Sequence, residues 1–550
     1  MQRFRLLSQQ QVMLFIAFYV GVILNAPVFW RRFTQVPQDT PLALAAEMLA
    51  AFSLVYFLCL LFSFTGRWLF RLLTTIVILA SAAASYYMAV FNVDIGYGIL
   101  AAVMTTDLDL SKASIGYHFM LWIVVAGLPP LAALWLSRLP DGDLRPVNRR
   151  LLLRKTGVLL TAALFCWLPL KLMGEVLEVD GNPTMAAQYD DTVAGTYLPS
   201  NWLSALGLFA YSAYTQPEEL NNLFDPAKHF TYLPPKDADD IDVVFVIGES
   251  ARRDHFGLYG YARDTTPNLS REKNLVALQG TSCDTSTKLS LRCMFVRIGG
   301  TTDDPSRTLK EMNVFSVLKQ QGFSSELFAM QTEDWFYSKT LADRYVLRDD
   351  IETQARNAGK PIGDMLLVGQ MQGSLQRHPH GRHLIILHTK GSHYLYSERY
   401  PRSFARWQPE CMGIDEACST QSMINAYDNS VLYTDAFLKQ VIDQVRDRKA
   451  IVFYASDHGE SISDNIHFHS TPRDRAPPEQ RTIPIMVWAS DAFLAEPAHR
   501  AAFTQLQRMA AEKKPAFHGK LFDSVLGCIG FTSPDGGLLD GRNWCHTPAP

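Results

Sequence analysis

Val243-Val244-Phe245-Val246-Ile247 runs directly into Gly248-Glu249-Ser250, and this join of an apolar run to a carboxylate decides how the rest of the chain is read. A continuous valine- and isoleucine-rich run reads as a strand covered on both faces, as in parallel sheets, not as a half-exposed alternating strand. Three further runs share its character. Leu384-Ile385-Ile386-Leu387 leads into His388-Thr389-Lys390-Gly391-Ser392-His393, and Ile451-Val452-Phe453-Tyr454 leads into Ala455-Ser456-Asp457-His458-Gly459-Glu460. The fourth, Ile483 to Trp488, follows a short His-containing loop. In open α/β sheets ligands collect beyond the carboxyl ends of such strands. Glu249, Asp457, His458 and His393 are therefore expected to converge although they lie far apart in the chain.

The chain has 550 residues, too many for one ordinary domain, and its first part differs sharply from the remainder in charge density and apolar run length. Long apolar stretches lie at 12–30, 42–64, 69–93, 119–136 and 156–170, mostly near the ~20 residues that cross a hydrocarbon core. They are read as five transmembrane helices in a domain covering 1–175. Asn25, Ala26 and Pro27 lead to Phe29, Trp30, Arg31 and Arg32 without a small-residue cleavage site, so the first helix is expected to stay as an anchor.

Basic residues set the orientation. Arg3, Arg5, Arg67, Arg71, Arg138, Arg145, Arg149, Arg150, Arg154 and Lys155 fall on one side, and Arg31, Arg32 and Lys112 on the other. That bias places the N-terminus in the cytoplasm and, after five crossings, the larger C-terminal part outside the cytoplasmic membrane. Cysteine usage agrees. Cys59 and Cys166 lie in the apolar helices, whereas Cys283, Cys293, Cys411, Cys418, Cys528 and Cys545 lie in the exported part, where disulfides persist. The short intervals favour the local pairs Cys283–Cys293, Cys411–Cys418 and Cys528–Cys545. A net charge of −3 leaves no basic footprint for nucleic acid.

Between the halves, 176–236 is read as a linker. Within it, Leu198 to Leu208 forms an amphipathic stretch whose Trp202 would suit a membrane interface; an ordinary core helix is the competing reading. Residues 237–550 then form an α/β domain with a central, mostly parallel sheet flanked by helices.

A catalytic zinc takes imidazole and carboxylate ligands and keeps one position open to the reacting group. Glu249, Asp457 and His458 supply three ligands. A fourth is sought in Thr281-Ser282-Cys283-Asp284-Thr285-Ser286-Thr287-Lys288-Leu289-Ser290-Leu291-Arg292-Cys293. A hydroxyl held on a metal loses its proton far more readily than a free one, so one residue here would be both ligand and nucleophile. Thr285, Ser286, Thr287 and Ser290 are equal candidates at this level, and a stapled surface loop whose hydroxyls only cap a helix is the bland alternative. His467 and His469 follow Asp457-His458 closely, which packing alone does not explain.

Ile247-Gly248-Glu249-Ser250-Ala251-Arg252-Arg253-Asp254-His255, Asp264-Thr265-Thr266-Pro267-Asn268-Leu269, the loop ending Arg292-Cys293-Met294-Phe295, Leu387 to His393, and Ser456-Asp457-His458-Gly459-Glu460-Ser461 together resemble the lipopolysaccharide phosphoethanolamine transferases. The resemblance covers essentially the whole chain. It implies a bacterial inner-membrane enzyme, expected to be a monomer, whose periplasmic domain is of the alkaline phosphatase and sulfatase type. It implies Thr287 as the nucleophile, and Glu249, Thr287, Asp457 and His458 as ligands of Zn2+, with a second zinc left open. His393 and His469 match histidines that contact substrate phosphate or a second metal, although Ser470 stands where the family commonly has glycine.

Within that family the chain resembles the branch that modifies the Kdo sugar of the inner core. Lys288 and Arg292 stand where lipid A modifiers carry an uncharged residue and a proline, and are expected to engage an anionic acceptor; a solvated charge pair is the alternative. Asp107 or Asp109 is the expected partner of the donor ammonium. The implied activity transfers phosphoethanolamine from phosphatidylethanolamine to Kdo. The same transfer to a lipid A phosphate or another glycan is the alternative, followed by a membrane-anchored phosphoesterase or sulfatase.

Overall fold

The computed structural model describes the chain except residues 1–6, 36–40, 94, 106–115, 138, 140–148, 180–188, 222, 237, 298–310, 414–417, 463–467, 474 and 547–550. It forms two compact units, Met1–Ser212 and Ala213–Pro550.

The first unit is helical. Four of its helices, Pro41–Thr65, Arg67–Val90, Tyr117–Leu136 and Arg149–Met173, are long and apolar enough to cross a membrane, and the bent pair Gln9–Ile23 and Ala26–Thr34 makes a fifth span if counted as one. Exposed Leu72, Val125, Leu136 and Leu160 on these helices suit contact with lipid, because an apolar surface costs nothing there. Two buried polar side chains inside the bundle, Glu47 and Asn25, are matched. Glu47, fully buried, accepts from Arg32 Nε at 3.1 Å and from the Tyr197 hydroxyl. Asn25 donates to Gly21 and Leu198 carbonyls, both at 3.0 Å, and accepts the Leu198 amide at 2.8 Å.

These contacts fall within the stretch read as a linker, 176–236. Tyr197 and Leu198 complete the hydrogen bonding of buried Glu47 and Asn25, so the chain through Ser212 belongs with the helical unit. Trp202, anticipated as an interfacial anchor, is buried, and its indole N–H donates to Ser81 Oγ at 3.2 Å. Farther along the same helix, Ser200–Asn221, Leu208 and Tyr211 are exposed. The end of the stretch joins the second unit, where the Leu233 amide donates to the Thr532 carbonyl at 2.9 Å.

The second unit is built on eight strands: β1 Ile241–Gly248, β2 Leu275–Thr281, β3 Ser324–Ala329, β4 Arg344–Val346, β5 Arg382–His388, β6 Ala450–Ser456, β7 Thr482–Ala489 and β8 Pro515–Phe517. Their order is β4-β3-β5-β1-β6-β7-β2-β8. β7 runs antiparallel to both β6 and β2, and every other pairing is parallel. The sheet is thus mostly parallel, but the fourth apolar run points the opposite way, so its start, not its end, approaches the ends of β1 and β6.

β1 is buried along its whole length. Val243, Phe245 and Ile247 enter one apolar core, and Val244 and Val246 enter the other. Helices on both faces demand this continuous hydrophobicity. The register then sets the site. Ile247 lies level with His388 on β5 and with Ala455 on β6, and Gly248 lies level with Ser456. Three loops therefore leave the sheet at one height.

Candidate functional site

Glu249 follows the last residue of β1, and its surroundings fix it closely. Ser250 takes the left-handed conformation at φ 53°, uncommon for a non-glycine residue and frequent where function requires it. The Tyr427 hydroxyl donates to the Ser250 carbonyl and accepts the Arg252 amide, both at 2.7 Å. Gly391 packs against Glu249 so tightly that an added Cβ would lie 2.6 Å from the Glu249 carbonyl oxygen. Ser250 Oγ donates to Glu249 Oε1 at 2.6 Å, and Gln331 Nε2 donates to Glu249 Oε2 at 2.9 Å.

Asp457 and His458 follow β6. Asp457 Oδ1 accepts the amides of Ser250 at 3.1 Å and His458 at 2.7 Å, while Oδ2 is buried with no hydrogen bond. His458 Nδ1 donates to the Gly459 carbonyl at 2.7 Å, which leaves the Nε2 lone pair facing Asp457 Oδ2 at 3.3 Å and Glu249 Oε1 at 3.4 Å. One ligand atom from each of the three residues lies within 4.8 Å of the others.

Of the four candidate hydroxyls, Thr287 alone reaches this group among the described residues. Its Oγ1 donates to Glu249 Oε2 at 3.0 Å and lies 3.3 Å from His458 Nε2. Thr285 Oγ1 donates instead to the Thr471 carbonyl at 2.5 Å, and Ser290 Oγ lies 3.2 Å from Ser282 Oγ. Ser286 Oγ is buried without a partner. The short helix Thr287–Cys293 carries Thr287 at its start and is held from behind. Cys283 is disulfide-bonded to Cys293, and Phe295 packs on Phe245 of β1 with ring centroids 4.9 Å apart. The structure also contains Cys411–Cys418 and Cys528–Cys545 disulfides, with Cys59 and Cys166 free.

The donor set fits a cation. Burial raises Glu249 to about 7, with Asp457 adding to the effect, and burial raises Asp457 likewise to about 7. Burial lowers His458 to about 4, so near neutral pH its imidazole is uncharged. An uncharged lone pair directed at two buried carboxylates gains nothing unless a positive ion stands among them. The Nδ1–H bond to Gly459 is the orienting contact typical of a metal-ligating histidine.

His393 and His469 border the group. The His469 ring lies 4.3 Å from that of His458 and 5.6 Å from that of His393, centroid to centroid, and Glu460 Oε2 lies 3.1 Å from His469 Nδ1. Burial and the nearby Lys390 hold His393 well below the usual imidazole range; burial lowers His469 also. Phe468 and Ser470, on either side of His469, both have φ 68°. Arg292 is buried, not solvated, with its guanidinium 5.4 Å from the Trp335 ring centroid. Lys288 is half-buried and within electrostatic reach of Glu333. Asp107, Asp109 and His467 lie outside the described residues.

Sequence reasoning missed Gln331, Tyr427 and His518. His518 is buried, with Nδ1 3.3 Å from Ser282 Oγ and 3.7 Å from Cys283 Sγ. None of the three stands beside a motif, and only the fold brings them to the site.

Residues 241–531 match the sulfatase family model, and residues 53–211 match that of phosphoethanolamine transferases EptA/EptB. The chain is 50% identical to the Kdo(2)-lipid A phosphoethanolamine 7''-transferase of Escherichia coli K12, covering 100% of this chain and 99% of that protein. It is 27% identical to the phosphoethanolamine transferase EptA of Salmonella typhimurium, covering 95% and 94%. The full-length structure of lipooligosaccharide phosphoethanolamine transferase A from Neisseria meningitidis superposes with a TM-score of 0.81 at 24% identity, over 97% of each chain, a likeness of fold. An apolar helical unit, a sulfatase-type sheet and near-full-length identity agree, and the chain belongs to the phosphoethanolamine transferase family of enzymes.

Proposed function

We propose that this enzyme moves phosphoethanolamine from phosphatidylethanolamine to a Kdo sugar of the lipopolysaccharide inner core, through a covalent intermediate on Thr287. The observation that carries the chemistry is the Thr287 hydroxyl set against Glu249 Oε2 and His458 Nε2. The acceptor rests on half-identity, over nearly the full length, to a relative named for Kdo(2)-lipid A. The helical unit is read as an inner-membrane anchor with a cytoplasmic N-terminus, and the sheet unit as periplasmic and monomeric. Donor and acceptor are both membrane lipids, and confinement beside them raises their effective concentration.

Glu249, Thr287, Asp457 and His458 would hold Zn2+, which when bound lowers the pKa of a held hydroxyl and polarises a phosphoryl oxygen. The Thr287 proton leaves toward Glu249 Oε2. Thr287 Oγ1 bonds to the donor phosphorus, the bond from phosphorus to the diacylglycerol oxygen breaks, and that oxygen departs with the proton that Glu249 received. In the second half, a Kdo hydroxyl gives its proton to His393 or His469, whose rings border the group. The acceptor oxygen bonds to phosphorus, the Thr287 oxygen leaves, and it takes up the proton that the histidine received. Lys288 and Arg292, on the helix that begins with Thr287, are read as cations for an acidic acceptor.

Tandem mass spectrometry of lipopolysaccharide from cells expressing the chain or its Thr287→Ala variant tests this reading. One phosphoethanolamine on Kdo, present with the parent and absent with the variant, is expected. Addition on a lipid A phosphate with Kdo unmodified would overturn the acceptor, and addition by the variant would overturn the nucleophile.

A further inference from the structure

Lys390 lies in the loop that leaves β5, and the neighbouring backbone fixes its place. The Thr389 amide donates to the Ile247 carbonyl and the Ser392 amide to the Glu249 carbonyl, both at 3.0 Å. Gly391, at φ 53°, lies directly on the Glu249 backbone. The residue before it is thus held within one loop of the candidate metal centre. Asp364 holds the loop through its backbone: Oδ1 accepts the Lys390 amide at 2.7 Å and Oδ2 the Gly391 amide at 2.9 Å.

The Lys390 ammonium makes no hydrogen bond or ion pair among the described residues. More positive charge faces it. Arg399, with a side chain only 10% exposed, has two side-chain hydrogen bonds, to the Leu395 carbonyl and to the outward-facing Glu398, both at the long distance of 3.4 Å. Arg348 donates to Glu352 at 2.7 Å, and Glu352 is also shared with Arg356. Burial lowers Lys390 to about 7; Arg399 and Arg348 add to that effect, and Glu249 and Asp364 oppose it in part. Half-buried like charges set close together repel one another, and an anion among them relieves that repulsion. His393, on the border of the site, feels both Lys390 and Arg399.

We propose that Lys390, with Arg399 and Arg348 around it, is an anion subsite on the His393 side of the candidate metal centre, occupied by an oxyanion of the substrate. The donor phosphodiester is met at Thr287 and the metal ligands. The subsite lies beyond Glu249, on the side of its backbone packed by Gly391, so the oxyanion assigned to it is the carboxylate of the acceptor sugar. This assignment rests on the Kdo reading given above. It makes Lys390 a specificity-determining residue, distinct from Lys288 and Arg292 beside the nucleophile.

The test uses the full chain in detergent micelles with phosphatidylethanolamine, and two acceptors: Kdo2-lipid A and the same molecule with its Kdo carboxylates methyl-esterified. The parent is expected to favour the acid over the ester by about tenfold, through KM. Lys390→Met should bring that ratio near one by raising KM for the acid about tenfold, whereas covalent modification of the protein by donor alone falls much less. Lys390→Arg, which keeps the charge, should recover part of the preference. A Lys390→Met enzyme with the parent ratio would overturn the subsite, as would a parent indifferent to esterification. Equal losses in donor-only modification and in transfer would overturn the acceptor assignment and place the oxyanion on the donor. A parent that modifies lipid A phosphate but neither Kdo form would overturn the Kdo reading itself, a result distinguishable from failure of the subsite alone.

Discussion

Thr287 donates its hydroxyl to Glu249 Oε2 at 3.0 Å across 38 residues of chain, and the same carboxylate oxygen accepts Gln331 Nε2 at 2.9 Å. One oxygen thus orients the nucleophile while Gln331 fixes the carboxylate. Thr287→Ala is expected to lower transfer by about a thousandfold or more with little change in the thermal midpoint, and Thr287→Ser to retain measurable turnover because the hydroxyl remains. Single-turnover assays with intact-protein mass spectrometry check both. Full activity of the alanine variant would exclude the covalent route.

Metal retention should depend on pH in a defined direction. Burial raises both Glu249 and Asp457 to about 7. For groups whose folded-state pKa is raised, the stability they confer on the metal-free protein is complete below about pH 4, and it is lost as pH rises through about 7. A divalent cation competes with those protons. Chelation of the full chain is therefore expected to lower the thermal midpoint clearly at pH 7.5 and little at pH 5. An equal loss at both values would show that these carboxylates do not share the cation.

The Cys283–Cys293 disulfide closes a loop of sequence separation 10 around Thr287. Chain entropy assigns such a loop about 3 kcal/mol at most. The Cys283→Ala/Cys293→Ala pair is expected to lose stability of that order in urea titration of the full chain and to lose kcat, since the helix bearing the nucleophile is freed at both ends. Retention of kcat would show that packing of Phe295 on Phe245 suffices to place Thr287.

Ser470 has φ 68°, and its amide donates to the Thr285 carbonyl at 2.8 Å. Glycine takes that conformation without a Cβ penalty. Ser470→Gly should therefore stabilise the protein by up to about 1 kcal/mol, net of glycine's larger unfolded-state freedom. Calorimetry of the full chain checks the sign. Destabilisation would mean that the serine side chain contributes more than the strain it carries.

Much of the fold was legible because its strands are buried on both faces. Val243 to Ile247 carries no alternation, since alternate residues enter different cores, and the same condition marks the runs of β5, β6 and β7. The direction of β7 was not legible, because apolarity carries no sense along the chain. Glu249, Asp457 and His458 were visible as polar residues ending apolar runs. The choice among Thr285, Ser286, Thr287 and Ser290 was not, because it depends on which hydroxyl the Thr471 carbonyl and Ser282 occupy. Trp202 was open between two readings for a related reason: an amphipathic stretch looks alike whether its apolar face meets lipid or a helix bundle, and only the contact with Ser81 shows where the indole sits.

The position of β1 between β5 and β6 also bears on how this enzyme comes to life. The Ser250 amide reaches Asp457 Oδ1 across 207 residues, and the two strands that flank β1 come from the second half of the chain. Such long-range closure is slow and occurs late in folding. A chain that already carries Glu249 and Thr287 has no competent centre until the segment through His458 has been made and β6 has paired with β1. Activity therefore waits on the pairing of β6 with β1, long after the residues around Thr287 have been made.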